Sequence, residues 1–317
     1  MFFASAQLSA ASYDPLAVDP NFKARELELA VPDVKGERDL PLRVYLPATT
    51  TPAPVVLFSH GLGGTRNGDA FLGQHWAARG YVAIFVQHPG SDDSVWRDKP
   101  VAQRMSSMQL AASPKNFMDR AADVHAVLDA LTAWNSAAQH PLAGRLDRQK
   151  IGMSGHSFGA VTTQAVSGET FPMLGRKLTD PRIKAAIAFS PSAPRRGRTE
   201  QAFASVTIPW LLMTGTKDTA PIGRADVKSR LAVYPALQGA PKYEVVLNNA
   251  EHSAFTDRAL PGDHEPRNPN HHLVMLTLTT AFWDSYLRHD ADALDWLNGA
   301  GPRSVLEPTD RWQVSAK

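Results

Sequence analysis

A chain of 317 residues with 33 Lys and Arg against 31 Asp and Glu, a formal net charge of +2, lacks the basic excess and the Lys/Arg blocks that mark a nucleic-acid partner. Hydrophobic residues at 43% and charged residues at 20% are the proportions of an ordinary soluble globular protein, whose core at this length needs neither disulfides nor a structural metal. The absence of cysteine excludes thiol catalysis, zinc–thiolate sites and disulfides together.

The opening "MFFASAQLSAASYDP" has a short apolar start and an A-x-A-like order at Ala4-Ser5-Ala6. It lacks the positive n-region and the full apolar stretch of a secretory signal. Residues 1–20 are expected to form a flexible tail or a clipped signal remnant. A remnant implies a secreted or periplasmic protein, and a simple tail a cytoplasmic one. Elsewhere no window approaches the roughly 18 apolar residues of a membrane helix, so no integral membrane segment is expected. No linker, repeat or low-complexity tract divides residues 21–317, which read as a single domain.

Within that domain, short β-branched runs alternate with helical patterns. "LELAV" and "LPLRVYLP" are predicted as opening strands with a turn at Gly36-Glu37. "PVVLFSHG" is a continuous apolar run of the kind buried on both faces. A helix is predicted from Asp69 to Arg79, ended by Gly80, and then the strand "YVAIFVQH". Gly90 to Pro114 is predicted as a loop, and in the following helix Phe117, Ala121, Val124, Leu128 and Leu131 share one face. "KIGMSGHS", "IKAAIAFS", "PWLLMTGT" and "YEVVLNN" are further strands, with a helix from Phe158 to Ser167 after the first. His272 to Arg288 is the closing helix, with Asn270 as its N-cap. Such alternation predicts an α/β fold: a doubly wound, mostly parallel sheet with helices on both faces and no large lid domain. Ligands of such sheets lie outside the carboxyl ends of the strands.

"IGMSGHSFGAV" fits G-x-S-x-G in one register only, Gly155-His156-Ser157-Phe158-Gly159, because a start at Ser154 puts His156 where the second glycine belongs. Alone the pentapeptide is a weak signal; between a strand and a helix it has the setting of a nucleophile elbow. Such a turn holds the serine in a strained conformation that presents its hydroxyl. Glycines on either side let strand and helix approach, and the helix start offers unpaired N–H groups to developing negative charge. The plainer alternative is a glycine-rich turn with a serine cap.

"GHSFGA", together with "FSHGLGG", resembles the serine esterases of the α/β-hydrolase fold. More closely, the pair is similar to the platelet-activating-factor acetylhydrolase group and to bacterial dienelactone-hydrolase-like proteins, from about "RVYLP" to the last helix. True dienelactone hydrolases use a cysteine nucleophile, which this chain lacks, so that activity does not carry over. The resemblance implies a triad in the order Ser, Asp or Glu, His. Asp218 ends the strand "LLMTGTKD" at the required edge and is the candidate acid, with Asp226 in reserve; "AIAFSPSA" leaves the preceding strand end without a carboxylate. His252 directly follows "YEVVLNNAE" and is the candidate base that Ser157 needs.

The Phe158 N–H is expected in an oxyanion hole, and the resemblance implies the Leu62 N–H as its partner, on a loop bent by Gly61, Gly63 and Gly64 and braced by His60. His264, His271 and His272 lack the H-E-x-x-H spacing, and "HGLGGTRNG" lacks the ending of a phosphate loop. No metal or other cofactor is expected.

The expected reaction is hydrolysis of a small or extended carboxylic ester through an acyl-enzyme on Ser157. Gly61, His156, Trp96, Met105 and Met108 are candidate pocket residues, with His156 also a packed neighbour of the nucleophile. Trp96, Met105 and Met108 stand equally as core beneath the 90–114 loop, itself either a pocket wall or a mobile lid. Arg195, Arg196 and Arg198 read as a solvated basic loop. Two other functions remain open: a phospholipase A2-type acetylhydrolase acting on short-chain phospholipid esters, and a non-catalytic binding protein on a hydrolase scaffold. Oligomeric state is not legible.

Overall fold

The computed structural model describes residues 13–32, 38–223, 225–260 and 262–316. The turn expected at Gly36-Glu37 and the first twelve residues of the expected tail lie outside them. Strands β1 (Arg25–Val31), β2 (Leu40–Leu46), β3 (Ala53–Ser59), β4 (Val82–Val86), β5 (Leu146–His156), β6 (Ile183–Phe189), β7 (Trp210–Lys217), β8 (Lys242–Glu251) and β9 (Arg311–Ser315) form one sheet in the order β1-β2-β4-β3-β5-β6-β7-β8-β9. The six strands from β4 to β8 in that order are mutually parallel, while β1, β2 and β9 join antiparallel at the flanks. The architecture is the α/β-hydrolase fold.

Parallel strands bury both faces, and the sequence supplies apolar side chains for both. Along β3, Val56 and Phe58 point into one core with Leu72 and Trp76 of α1 (Ala70–Ala78). Val55 and Leu57 point into the other, against Val124, Leu128 and Leu131 of α3 (Pro114–Ser136). The period-2 alternation of a strand thus assigns each residue to a face. Further along the sheet, Ala186, Ala188, Trp210 and Leu212 pack against Ala160 of α4 (Phe158–Val166), Phe203 of α5 (Thr199–Phe203) and Val233 of α7 (Val233–Ala236). A short α6 (Val227–Leu231) precedes α7.

The short helices α5, α6 and α7 are absent from the sequence reading, and three further regions differ from it. The loop expected over 90–114 contains α2 (Val101–Ala111), a helix that buries only Ala111 and so leaves no apolar period to read. The C-terminal helix α8 (Pro269–Leu287) begins at Pro269 and is capped by Asn268, whose side chain accepts from the Asn270 N–H at 2.9 Å; proline suits the first helical position because it lacks the N–H that would go unpaired. After α9 (Ala291–Asn298), β9 adds a polar edge strand on which Trp312 stacks against Tyr243. At the other end of the chain, Tyr13 donates to Asp284 Oδ2 at 2.7 Å, so residues of the expected tail from Tyr13 onward reach the body of the domain.

What positions the site is the junction of β3, β5 and α4. Ser157 follows β5 with φ 57° and ψ −114°, a strained combination for a residue with a side chain. The turn is sharp because neither flanking glycine carries a Cβ. A methyl on Gly159 would overlap the Ser59 carbonyl oxygen, and one on Gly155 would overlap Gly159's own carbonyl. Gly159→Ala is expected to cost about 3 kcal/mol or more, since the obstacles are backbone atoms rather than a yielding side chain. Urea unfolding measures it, and an unchanged midpoint would contradict the close approach.

Candidate active site

At the carboxyl edge of the sheet three side chains from three strand ends meet. Ser157 Oγ lies 2.8 Å from His252 Nε2, and His252 Nδ1 lies 2.7 Å from Asp218 Oδ1. An ionised carboxylate only accepts, so Nδ1 carries the ring proton and Nε2 accepts from the serine hydroxyl. Asp218 follows β7, fully buried, and its Oδ2 accepts from Thr214 Oγ1 at 2.8 Å. Burial works to raise its pKa, but the hydrogen bond and charge of His252, with the nearby Arg230, outweigh burial and hold it well below the usual carboxylate range. Asp226, the reserve acid, instead caps α6 by accepting from the Ser229 N–H at 2.8 Å.

The loop after β3 approaches the serine from the other side. A Cβ built on Gly61 would sit 3.4 Å from Ser157 Cβ. Leu62 is next in that loop and Phe158 next after the serine. Among the described residues, neither backbone N–H meets a hydrogen-bond acceptor. A profile of PET hydrolase-like proteins matches residues 42–260, a span holding Ser157, Asp218, His252 and the glycine loop. The chain belongs to the PET hydrolase-like family. It is also similar to the platelet-activating factor acetylhydrolase of Cavia porcellus, with 23% identity over 161 residues, 44% of this chain and 35% of that protein. The chain thus matches about a third of the length of that curated relative.

In this family member the glycine loop is braced from behind by a buried polar network. His60, 2% exposed, accepts from the His88 N–H at Nε2 (3.1 Å), so its Nδ1–H donates to Gly61 O at 2.7 Å. Burial, with Arg120 nearby, pushes the His60 pKa down to about 3, consistent with a neutral ring. Arg120 is 1% exposed and spends every guanidinium nitrogen: Nε on Thr162 Oγ1 (3.0 Å), Nη1 on Ser91 Oγ (2.9 Å), Nη2 on Ser59 Oγ (3.0 Å) and on the His60 carbonyl. Its Cζ also lies 4.8 Å from the Phe158 ring centroid. One cation therefore ties the end of β3, the loop after β4 and the first turn of α4. Ser59 passes its own proton to His88 Nε2 (2.8 Å), and His88 Nδ1–H donates to Asp123 (2.9 Å), which also takes Arg38 at 2.6 Å.

The expected pocket residues divide. Trp96 Nε1 donates to Gly63 O at 2.8 Å, and a Cβ on Gly63 would lie 3.0 Å from Met108 Sδ, so both side chains pack on the glycine loop. Met105 is 46% exposed on the outer face of α2. His156 is buried, its Nε2–H donates to the His252 carbonyl at 3.0 Å, and its ring packs between His252 and Phe255, as a packed neighbour of the nucleophile would. His271 reaches Asn248 O and His272 stacks on Phe71 at 4.2 Å between ring centroids, so these two histidines have separate neighbours. Arg195 donates to Gly223 O and Arg198 pairs with Glu200 at the surface.

The sequence reading missed Arg120, His88 and Arg230, and no motif marks them, because each is defined by what folds against it. It also missed a clasp between the two loops that carry the site. Asp69, beyond the glycine loop, accepts from the Asp257 N–H at 3.1 Å, while Asp257, beyond His252, accepts from the Asp69 N–H. Burial first, and the Asp257 charge second, push the Asp69 carboxyl from 3.8 up to about 8. A raised folded-state value means that the contribution of Asp69 to folding stability is complete below the unfolded value of 3.8 and is lost as pH rises through about 8, the Asp257 N–H bond only partly offsetting burial and like charge. Asp69→Asn is expected to flatten the fall in unfolding free energy over that window. Urea titrations at several pH values check it, and an Asn variant with the wild-type slope would remove Asp69 as the source.

Proposed function

We propose that the protein is a serine ester hydrolase acting through an acyl-enzyme on Ser157. The observation that carries this reading is the unbroken hydrogen-bonded chain from Ser157 Oγ through His252 to Asp218, with distances of 2.8 and 2.7 Å. Membership of the PET hydrolase-like family supports the same chemistry.

In the first half-reaction Ser157 Oγ attacks the ester carbonyl carbon as its proton passes to His252 Nε2. Asp218 holds the imidazole in the tautomer that can accept that proton and stabilises the imidazolium. The carbonyl oxygen takes the negative charge and turns toward the Phe158 and Leu62 N–H groups, which are free to receive it. Both belong to backbone that the Arg120 network holds in place, so little reorganisation accompanies the charge. As the tetrahedral centre collapses, the carbon–oxygen bond to the alcohol breaks and His252 returns the proton to the departing oxygen. Water then repeats the sequence on the acyl-enzyme, its proton going to His252, and Ser157 is regenerated with release of the acid.

The segment after β6 holds only the short α5, too little to roof the site, which favours small or extended esters over deeply enclosed ones. Short-chain phospholipid esters are a second substrate class, favoured by the similarity to the platelet-activating factor acetylhydrolase. A purely binding role fits poorly with an unbroken hydrogen-bonded Ser–His–Asp chain. Ser157→Ala is expected to lower kcat on p-nitrophenyl esters by several orders of magnitude (about 10⁶ in a comparable serine enzyme) and to abolish fluorophosphonate labelling. Turnover close to wild type in that variant would refute the assignment, and a chain-length series, including a short-chain phospholipid, separates the substrate classes.

A further inference from the structure

Arg230, on α6, is 1% exposed and lies on the far side of the candidate triad from the serine. Its Nη1 donates to the Ser190 carbonyl (2.8 Å), the Pro191 carbonyl (2.9 Å) and Ser192 Oγ (2.7 Å), which fixes the guanidinium plane against the end of β6. Its Nε lies 3.4 Å from Asp218 Oδ1, the same oxygen that accepts from His252, and its Nη2 lies 3.4 Å from His252 Nδ1. Nη2 and the protonated Nδ1 are both donors, so that last approach is no hydrogen bond. It is a cation held against the edge of the ring.

We infer that Arg230 is a positioning residue that fixes the Asp218 carboxylate and, by standing beside His252, sets how far into acid the enzyme stays active. The inference rests on the serine hydrolase reading. A triad carboxylate alone favours the charged imidazolium. Here the carboxylate is already matched by a guanidinium, so protonating His252 places a second cation beside the first with one anion between them. Arg230 thus stands against the build-up of positive charge on the ring. The other groups facing the ring do not supply this effect. His156, packed on it from β5, is held neutral chiefly by burial, which lowers its pKa well below the ordinary value. On the His252 loop, Glu251 is taken up by the His264 and Glu265 N–H groups, and Asp263 by Ser253. Asp226, the charged neighbour of Arg230 on α6, caps that helix.

The test is the pH profile of kcat/KM for a short-chain p-nitrophenyl ester between about pH 5 and 9, read where nitrophenol and nitrophenolate absorb equally. Arg230→Gln is expected to move the acid limb up by about one pH unit, close to tenfold in rate well below it, with a smaller loss on the plateau. Arg230→Lys keeps the charge but not the fork that bridges carbonyls and carboxylate, so its limb lies between those of Arg230→Gln and wild type. A limb that coincides with the wild type in Arg230→Gln, or in Arg230→Lys if the glutamine variant does not fold, overturns the inference, whatever uniform loss accompanies it. Ser157→Ala runs alongside. If it is inactive and the limb has not moved, only the role of Arg230 fails; if it turns over like wild type, the hydrolase reading fails first.

Discussion

The site depends on the contact between α4 and the end of β3, where Gly159 lies against the Ser59 carbonyl with no space for a side chain. Three consequences follow from that approach. The turn between β5 and α4 is forced tight, which puts Ser157 at φ 57° and lifts its hydroxyl out of the sheet. The first turn of α4 comes to rest beside the glycine loop, so the N–H groups of Phe158 and Leu62 belong to adjacent stretches of backbone. And the guanidinium of Arg120 lies beneath, where its bonds to Ser59, the His60 carbonyl and Thr162 fasten β3 to α4. A looser packing of the helix would change all three together.

Charge behind the site is arranged in two groups around buried carboxylates. Asp218 faces His252 and Arg230; Asp123 faces His88 and Arg38, with Arg120 a few residues away. Breaking such a pair is costly, because the partner left behind remains charged and away from water. The second group also contains a Ser–His–Asp sequence of hydrogen bonds, placed where its serine is closed off. Ser59, His88 and Asp123 are linked by 2.8 and 2.9 Å contacts, close to those of Ser157, His252 and Asp218. Yet Ser59 is fully buried and its oxygen already accepts from Arg120, so no substrate can reach it. The difference lies in access and in what else the oxygen binds.

Much of this was legible in the chain itself. The strands read well where both faces are buried, as in "PVVLFSH", and the elbow read well because its constraints are local: a strand, two glycines at fixed spacing, a helix. Asp218 and His252 can be proposed together because each closes a strand at the same edge, a matter of counting elements, and the structure brings them within one hydrogen bond. The network of Arg120 and His88 was not legible, since its members come from α3 and from the ends of β3 and β4, brought together only by the crossovers. Helix α2 escaped notice for the opposite reason: exposed on most of its surface, with Val101 and Leu110 largely in solvent, it has no period to detect.

One glycine shows how far local reading extends. Gly155 and Gly159 signal close approach by their spacing around Ser157, whereas Gly215, inside "LLMTGTKD", has no such motif around it. A side chain there would overlap the Ala250 carbonyl, so Gly215 does for β7 and β8 what Gly159 does for β3 and α4. The pairing of the two strands shifts between Gly215 and Lys217, and Asn249 turns into the left-handed region at φ 55° with its N–H donating to Thr216 Oγ1. Through that irregularity β7 delivers Asp218 and β8 delivers His252 at a separation of one hydrogen bond, where regular parallel strands would carry their ends past each other. Each half of the site is thus assembled at a point where a missing Cβ lets two backbones touch. The Ser157 end announces this in a motif because its glycines are neighbours in sequence; the Asp218–His252 end does not, because Gly215 and Ala250 meet only after the chain has passed through α6 and α7.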